Sequence, residues 1–334
     1  MAGSPMGVNL HSGDLSMDEI VRFTQEAESL GYEGVWLPEE SGKEAFAVLA
    51  ILAQATKRIR LATGILSFYT RTPTLLAMGA STMDRLSGGR FALGLGIGGV
   101  GFMQRGHGVP TERPLARARE TVEIVRGLLT SKKFTYQGQW FNVRDFHLRE
   151  GPVERKIPIY LSALNPKMVG LSARIADGFI ANWPTEESVA EWQSIVKREA
   201  EAAGRDPRSI EILTLVMTCV DPYDEAAMNV LRRAMAFYFA SEHYHHIADI
   251  SGFGGEAKAI KAAWDRGDVK AASRMVTDAM CEKFGLTGTP ETCRTRLRWM
   301  LDAGVYPIIY PLPRHGRVME DYIATIRLAA AYAA

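Results

Sequence analysis

Short apolar segments alternate with helical segments along this 334-residue chain, and the alternation is the feature that most limits its fold. Strands are predicted at residues 6–10, 34–37, 59–63, 91–95, 159–162, 179–181, 211–220 and 305–310. Helices are predicted at residues 17–30, 45–55, 74–86, 115–129, 166–176, 188–203, 225–240, 291–303 and 318–330. Strands that alternate with helices form a parallel sheet, and eight such units in one chain favour a closed barrel over an open sheet. We therefore predict an α/β fold, the (β/α)8 TIM barrel.

Two segments interrupt this alternation. The aromatic residues of segment 135–148, on either side of the turn Gln137-Gly138-Gln139, predict a β-hairpin after the fourth strand. Residues 241–285, after the seventh strand, have a mostly helical pattern. We expect a single domain over residues 1–334 with insertions at about 130–155 and 241–286. We expect the insertions to shape a substrate pocket or a subunit contact.

The composition argues against several functional classes. Lys+Arg 39 against Asp+Glu 38 leaves a net charge of +1, so we expect no nucleic-acid partner and no membrane partner. The three cysteines lack the spacing of metal sites or redox motifs, which favours reduced thiols in a cytoplasmic protein. His243, His245 and His246 have neither a partner cysteine nor H-x-x-x-H spacing, so no metal is expected. We find no signal-peptide pattern and no apolar run of membrane-spanning length.

The active site of a TIM barrel forms at the carboxyl ends of the strands, because the loops that follow the strands gather there. Residues in these positions include Asn9, His11, Glu39, Glu40, Gly64, Ile65, Ser67, Arg71, His107, Asn165 and Asn182. At most one of the adjacent Glu39 and Glu40 is expected to face the mouth, since neighbouring side chains of an extended chain point to opposite sides. Such a carboxyl could act as an acid or a base, whereas the alternative is a solvated pair.

The segment RFALGLGIGGVG, residues 90–101, ends its strand in five glycines. Gly96, Gly98 and Gly101 match the G-x-G-x-x-G pattern, but a dinucleotide fold requires a helix to begin at once after its first strand. Residues 102–114, which follow the fourth strand, contain two glycines and two prolines and are predicted to form a long loop. We therefore expect these glycines to line a flat cofactor; the alternative is a glycine-rich strand end with no ligand.

Asn165-Pro166 is typical of a helix start, with Asn165 as N-cap and Pro166 as the first helical residue. The exposed N–H groups and the dipole of such a helix end favour a phosphate. Because every helix needs a cap, a purely structural role is an equal alternative.

Five segments, taken in order, resemble the bacterial luciferase-like superfamily, and within it the coenzyme F420-dependent branch. They are GYEGVWLPEE, RIRLATGILSFYTRTP, RFALGLGIGG, GVPTERPLARARETVEIVR and NPKMVGLSARIADGFIANW. The resemblance covers almost the whole chain and agrees with the predicted barrel. It implies a deazaflavin, or alternatively FMN, bound across the barrel mouth, and a homodimer.

The resemblance also implies a set of cofactor contacts. The family's acid after strand 2 falls on Glu39, and its bulge after strand 3, often with a non-prolyl cis peptide, falls on Gly64–Ile65. The segment facing the ring falls on Ile97–Gly99, and the phosphate cradle falls on Ala163–Asn165. The full set is Glu39, Gly64, Ile65, Ser67, Ile97, Gly98, Gly99, Ser162, Ala163, Leu164, Asn165, Gly178, Ile180 and Asn182.

The chain departs from the family where relatives carry catalytic carboxylates, because Asn9 and Gly99 stand at two of those positions. The catalytic candidates are therefore Glu40 first, then His11 and His107. The implied function is hydride transfer between F420 and a carbonyl, an imine or a conjugated alkene of a small substrate. Two alternatives stay open: an FMN-dependent monooxygenase that uses oxygen, and a barrel that only carries the deazaflavin. A glycosidase is disfavoured, because adjacent carboxylates cannot readily flank one scissile bond.

Overall fold

Eight parallel strands close into a ring in the computed structural model, which describes residues 5–219, 225–313 and 317–333. The barrel strands are β1 (Gly7–Asn9), β2 (Gly34–Leu37), β3 (Arg60–Thr63), β4 (Phe91–Gly96), β5 (Ile159–Ser162), β6 (Gly178–Asn182), β7 (Glu211–Cys219) and β8 (Val305–Pro311). Each strand pairs with the next, and β8 pairs with β1 to close the ring. The predicted TIM barrel is confirmed. Val220, the last residue of the seventh predicted strand, lies outside the described residues.

Most helices cover the outside of the ring, whereas Val100–Gly106 and Gly254–Asp265 contribute residues to its open end. The helices are Met17–Ser29, Ala45–Ala55, Pro73–Ser87, Val100–Gly106, Pro114–Thr130, Pro166–Ile175, Glu186–Ala202, Glu225–Phe239, His245–Ile250, Gly254–Asp265, Val269–Met275, Asp278–Phe284, Pro290–Asp302 and Val318–Ala333. Local chemistry sets their ends. Ser16 and Glu19 form a capping box at the first helix, and Gly31 follows that helix with φ 85°, which a residue without Cβ adopts freely.

The prediction of a loop over 102–114 is wrong in its first half, since a helix runs from Val100 to Gly106. Its one internal glycine, Gly101, weakens the helix by about 1 kcal/mol, but no proline falls inside it. Met103 is the buried residue of this helix. One reason for rejecting a dinucleotide motif therefore fails. The other reason, the position of the segment after the fourth strand, still holds.

Both predicted insertions are present. The hairpin consists of strands Phe134–Gln137 and Asn142–Phe146. Its turn is held by Glu120 on the neighbouring helix, whose carboxylate accepts hydrogen bonds from three successive N–H groups. The second insertion is helical and lies between β7 and the helix that precedes β8.

The apolar residues form two layers. Trp36, Tyr160, Leu213 and Ile308 belong to a cluster inside the ring, and a larger cluster lies between the ring and its helices. The filled interior leaves ligand space only toward the carboxyl ends of the strands, as in other barrels of this size. Among the described residues, no helix combines the length and the apolar character that crossing a membrane requires.

Replacing Gly94, in β4, with alanine is expected to lower the stability of the fold. A Cβ at this position would lie 2.1 Å from the main-chain oxygen of Thr63, which the β3–β4 pairing holds in place. We expect Gly94→Ala to destabilise the fold by about 1–3 kcal/mol, measured by urea unfolding. Gly13→Ala is the control, since nothing lies within 4 Å of its Cβ position. Equal free energies of unfolding for the two variants would contradict the expected clash between a Cβ at position 94 and the Thr63 oxygen.

Candidate functional site

A cavity of about 930 Å3 opens at the carboxyl ends of the barrel strands. It is lined by fourteen of the residues predicted from the sequence: His11, Glu39, Glu40, Gly64, Ile65, Ile97, Gly98, Gly99, Ser162, Ala163, Leu164, Asn165, Ile180 and Asn182. Residues from six of the eight strand ends therefore meet in one place. Both Glu39 and Glu40 line it, so the expectation that at most one would face the mouth is wrong.

Three predicted residues do not line the cavity. Gly178 begins β6 and lies about 13 Å along the strand from the mouth, so it is out of reach of the site. Ser67 is buried, and its hydroxyl donates to the main-chain oxygen of Ile97 at 2.8 Å, so it supports the cavity wall from behind. His107 is exposed and does not line the cavity, but its ring packs edge-on against Phe102, which does.

Glycines give the cavity a smooth wall where β4 ends. A Cβ on Gly96 would lie 2.9 Å from the Cβ of Ser162 and 2.8 Å from the Cδ1 of Ile65. Gly98 has φ 79°, a conformation that strains other residues. Gly98 and Gly99 line the cavity next to Ile97, so the backbone at these two glycines can lie against a flat ligand without a projecting side chain.

The predicted irregularity after β3 is present at Gly64–Ile65. The β3 strand stops at Thr63, and Leu66–Ser67 then resumes the pairing with β4. In the gap, Glu39 N–H donates to the oxygen of Ile65 at 3.1 Å. All peptide bonds in the described ranges are trans, so the expected cis bond at this position is wrong.

Glu39 and Arg71 form a partly buried ion pair at the wall of the cavity. The Arg71 Nη2 atom lies 2.5 Å from Glu39 Oε1, and it also binds Glu44. Burial raises the pKa of Glu39, and Arg71 only partly offsets this effect. The Glu44 carboxylate raises it further. The ion pair with Arg71 therefore holds the Glu39 carboxyl in a fixed position at the cavity wall.

His11 and Glu40 form a second acid–base pair, which is open to the cavity. The His11 Nδ1 atom lies 2.9 Å from Glu40 Oε1, and the His11 ring stacks on Tyr310 with centroids 4.4 Å apart. These two contacts fix the ring plane and occupy Nδ1. Nε2 is thus the nitrogen left for a ligand, as in other histidines that a carboxylate orients.

Aromatic residues from the second insertion and the helix before it form the opposite wall, and sequence reasoning did not name them. Tyr238, Tyr244 and Trp264 line the cavity. Asn182 Nδ2 donates to the Tyr244 hydroxyl at 3.1 Å. Burial, with the Glu40 carboxylate, raises the pKa of Tyr238 to about 12, so its hydroxyl stays protonated and can donate. The only sequence signal was the insertion itself.

The segment between β5 and its helix lines the cavity and contains N–H groups without a main-chain acceptor among the described residues. Ala163 N–H is used in pairing with Ile180, but Leu164 and Asn165 donate no main-chain hydrogen bond within the described ranges. Pro166 begins the helix directly after Asn165. The Asn165 side chain contacts the oxygen of His243 at 3.4 Å instead of capping the helix. The free N–H groups and the helix end together suit a phosphate.

Asn9 lies at the end of β1 in the cavity wall, fully buried. Neither its Oδ1 nor its Nδ2 has a hydrogen-bond partner among the described residues. A buried amide without partners costs about 1–3 kcal/mol, so a ligand with a donor and an acceptor would relieve this cost. Asn9 thus marks the polar end of the cavity.

The chain belongs to the luciferase-like family, whose model, described as luciferase-like monooxygenase, matches residues 3–306. Within this family it is similar to a 5,10-methylenetetrahydromethanopterin reductase of Methanolobus tindarius, 31% identical over 302 residues that cover 88% of this chain and 90% of that one. An F420-dependent glucose-6-phosphate dehydrogenase of Amycolatopsis mediterranei is 23% identical over 312 residues, 89% of each chain. The solved coenzyme F420-dependent tetrahydromethanopterin reductase of Methanopyrus kandleri has the same fold, with a TM-score of 0.85, 24% identity and coverage of 99% and 98%.

Proposed function

We propose that this protein is a coenzyme F420-dependent oxidoreductase that transfers hydride between the deazaflavin C5 and a small organic substrate. The cofactor of the relatives supports the first part of the proposal. The observation that carries the second part is the pairing of a smooth glycine wall with an oriented His11–Glu40 pair in one cavity. A carbonyl, an imine or a conjugated alkene is the acceptor group that this arrangement suits.

The residues present fit such a cofactor. The wall at Gly98–Gly99 suits a flat ring, and the amide of Asn9, which has no partner among the described residues, suits the donors and acceptors on the edge of the ring. The N–H groups of Leu164 and Asn165 suit its phosphate. The cavity volume of about 930 Å3 lies within the upper range of ligand pockets, so cofactor and substrate can share it.

The deazaflavin, when bound, supplies or accepts a hydride at C5. The protein must handle the proton that accompanies the hydride. When a C=O or C=N bond is reduced, the carbon takes the hydride and the oxygen or nitrogen takes a proton. His11 Nε2 gives that proton, while the Glu40 carboxylate holds Nδ1 and stabilises the charge on the ring. The Tyr238 hydroxyl, held in its protonated form, can position the substrate heteroatom.

The first test is a titration of the purified protein with F420 and with FMN, followed by fluorescence. We expect saturable binding of F420, and oxidation of reduced F420 when a panel of ketones, imines and enones is added without oxygen. FMN is expected to bind more weakly. Tight FMN binding with oxygen-dependent turnover would favour the monooxygenase alternative. Tight F420 binding without turnover on any acceptor would favour a carrier.

A further inference from the structure

Two aromatic rings that line the barrel cavity have no part in the proton and hydride chemistry proposed above. They belong to Phe237 and Trp264, whose ring centroids lie 5.8 Å apart at an interplanar angle of 70°. The two residues come from different helices, Glu225–Phe239 and Gly254–Asp265, and we call them the aromatic step. Phe102, on the short helix after β4, lines the same cavity. Apolar rings from three separate helices therefore border the ligand space.

The Phe237 ring is more exposed than packing of its helix explains. It is 61% exposed, the highest value among the large apolar side chains of the described residues, whereas Met235, Ala236 and Phe239 beside it are buried. A single exposed apolar side chain such as Leu75, which is 51% exposed but does not line the cavity, is common on a protein surface. Phe237 differs because it lies in a cavity beside a second ring. Apolar surface exposed inside a concave, partly polar site is typical of a ligand contact.

The arrangement of the aromatic step favours a flat aromatic ring over an aliphatic group. In an edge-to-face pair each ring has a face or an edge that does not meet its partner, and a third ring can pack there in an offset or edge-on position. The opposite charges of ring edge and ring face then add attraction that an aliphatic group of the same area lacks. The step therefore selects for aromatic character and not only for apolar surface.

The aromatic step lies next to the hydroxyl that positions the reacting bond in the proposed function. The ring centroids of Phe237 and Tyr238 are 5.5 Å apart, and both residues line the cavity. The cofactor ring is assigned in that proposal to the wall at Gly98–Gly99, which follows β4 and belongs to a different part of the chain. A substrate whose carbonyl oxygen reaches the Tyr238 hydroxyl can thus place an adjoining ring on the aromatic step.

We propose that the substrate is an aromatic carbonyl compound, or the corresponding imine or enone, whose ring packs on Phe237 and Trp264. The inference rests on the proposed function and names the substrate class of that same site. Acetophenone is the simplest probe of this class. Its carbonyl carbon takes the hydride of reduced F420 and its oxygen takes a proton, so the products are 1-phenylethanol and oxidised F420.

The test compares acetophenone with cyclohexyl methyl ketone, which has the same carbonyl group but a saturated ring. The ratio of their kcat/KM values is expected to fall about three- to tenfold in Phe237→Leu, the effect of one lost aromatic pair. The intrinsic reactivities of the two ketones cancel when this ratio is divided by that of the wild type. Phe237→Tyr keeps the ring and is expected to keep the ratio. Saturation-transfer NMR of acetophenone with the oxidised F420 complex gives a second readout without turnover, in which the phenyl signals should weaken in the leucine variant.

Leu86→Ala is the control for the loss of an exposed apolar side chain, since Leu86 is 43% exposed in the last turn of the helix after β3 and does not line the cavity. It is expected to keep the wild-type ratio. An unchanged ratio in Phe237→Leu would overturn the aromatic substrate and leave hydride transfer intact. If that variant also changed the apparent mass in size-exclusion chromatography, Phe237 would contact a second copy of the chain instead. Failure of every acceptor in the panel to oxidise reduced F420 would overturn both proposals.

Discussion

Replacing His11 with alanine is expected to lower the rate of reduced F420 oxidation by about 100- to 10,000-fold, the range for loss of a general acid. The affinity for F420 is expected to stay close to the wild-type value, because the proposed ring and phosphate contacts come from other residues. The assay uses the acceptor that the wild-type protein reduces fastest in the panel. Added imidazole is expected to restore part of the activity, since it can occupy the vacated space and donate the proton.

Two further variants separate proton transfer from packing. His11→Phe keeps a ring against Tyr310, whose centroid lies 4.4 Å away, but has no nitrogen, so it should be as inactive as the alanine variant. Glu40→Gln can still accept from Nδ1 but carries no charge, so a smaller loss is expected, without imidazole rescue. His147→Gln, at an exposed histidine outside the cavity, is the control.

The opposite ranking would contradict the assignment of the proton donor. If Glu40→Gln abolishes turnover while His11→Ala leaves it nearly unchanged, the carboxyl itself donates the proton and His11 only orients it. Retention of full activity by both variants would exclude His11 and Glu40 as proton donors. Tyr238 and Tyr244 on the opposite wall would then be the next candidates.

The barrel was predictable because each strand and helix carries its own signal. Apolar runs such as β4 end at glycines, and helix caps such as Ser16 act within a single turn. The reliance on local signals also explains why a loop was predicted where a helix runs from Val100 to Gly106. The glycines in this segment disfavour a helix in the local sequence. The burial of Met103 depends on the rest of the fold and cannot be predicted from neighbouring residues.

The site residues that lie at the carboxyl ends of strands could be predicted from the sequence. Gly178 was misplaced because only the carboxyl end of a strand opens at the mouth. His107 follows the short helix after β4, and its ring packs on Phe102, which lines the cavity, although His107 itself does not. Tyr244 escaped prediction because the path of a long insertion decides its position, and Tyr238 escaped because it lies near the end of the preceding helix and not at a strand end. The orphaned amide of Asn9 has no sequence signal at all, since burial and missing partners are properties of the fold.

Replacing Asp177 is expected to reduce the stability of the barrel. It lies before β6 at the amino ends of the strands, where its carboxylate accepts from Arg126 and from Ile159 N–H, each at 2.9 Å, and also pairs with Lys156. Its main chain pairs with Ile159 and Glu211, so one residue ties the starts of β5, β6 and β7 together.

We expect Asp177→Asn to lose about 2–3 kcal/mol in the free energy of unfolding at pH 7. Arg126 and Lys156 are partly exposed and can turn to solvent, so the loss stays below that of a fully buried pair. Urea unfolding measures the loss. Asp206→Asn is the control, because the Asp206–Arg208 pair lies in an exposed turn and its loss should not move the midpoint.

The pH dependence of this loss has a defined sign. Burial alone raises the pKa of Asp177, but Lys156, Arg126 and the Ile159 N–H together hold it below its ordinary value. The carboxylate therefore contributes its full stability above the pKa of the unfolded chain, about 3.9, and loses it as the pH falls toward the lower folded value. The stability difference between wild type and Asp177→Asn should be constant from pH 5 to 7 and shrink below about pH 4. A difference that is absent at pH 7, or that grows on acidification, would show that this carboxylate does not hold the three strands together.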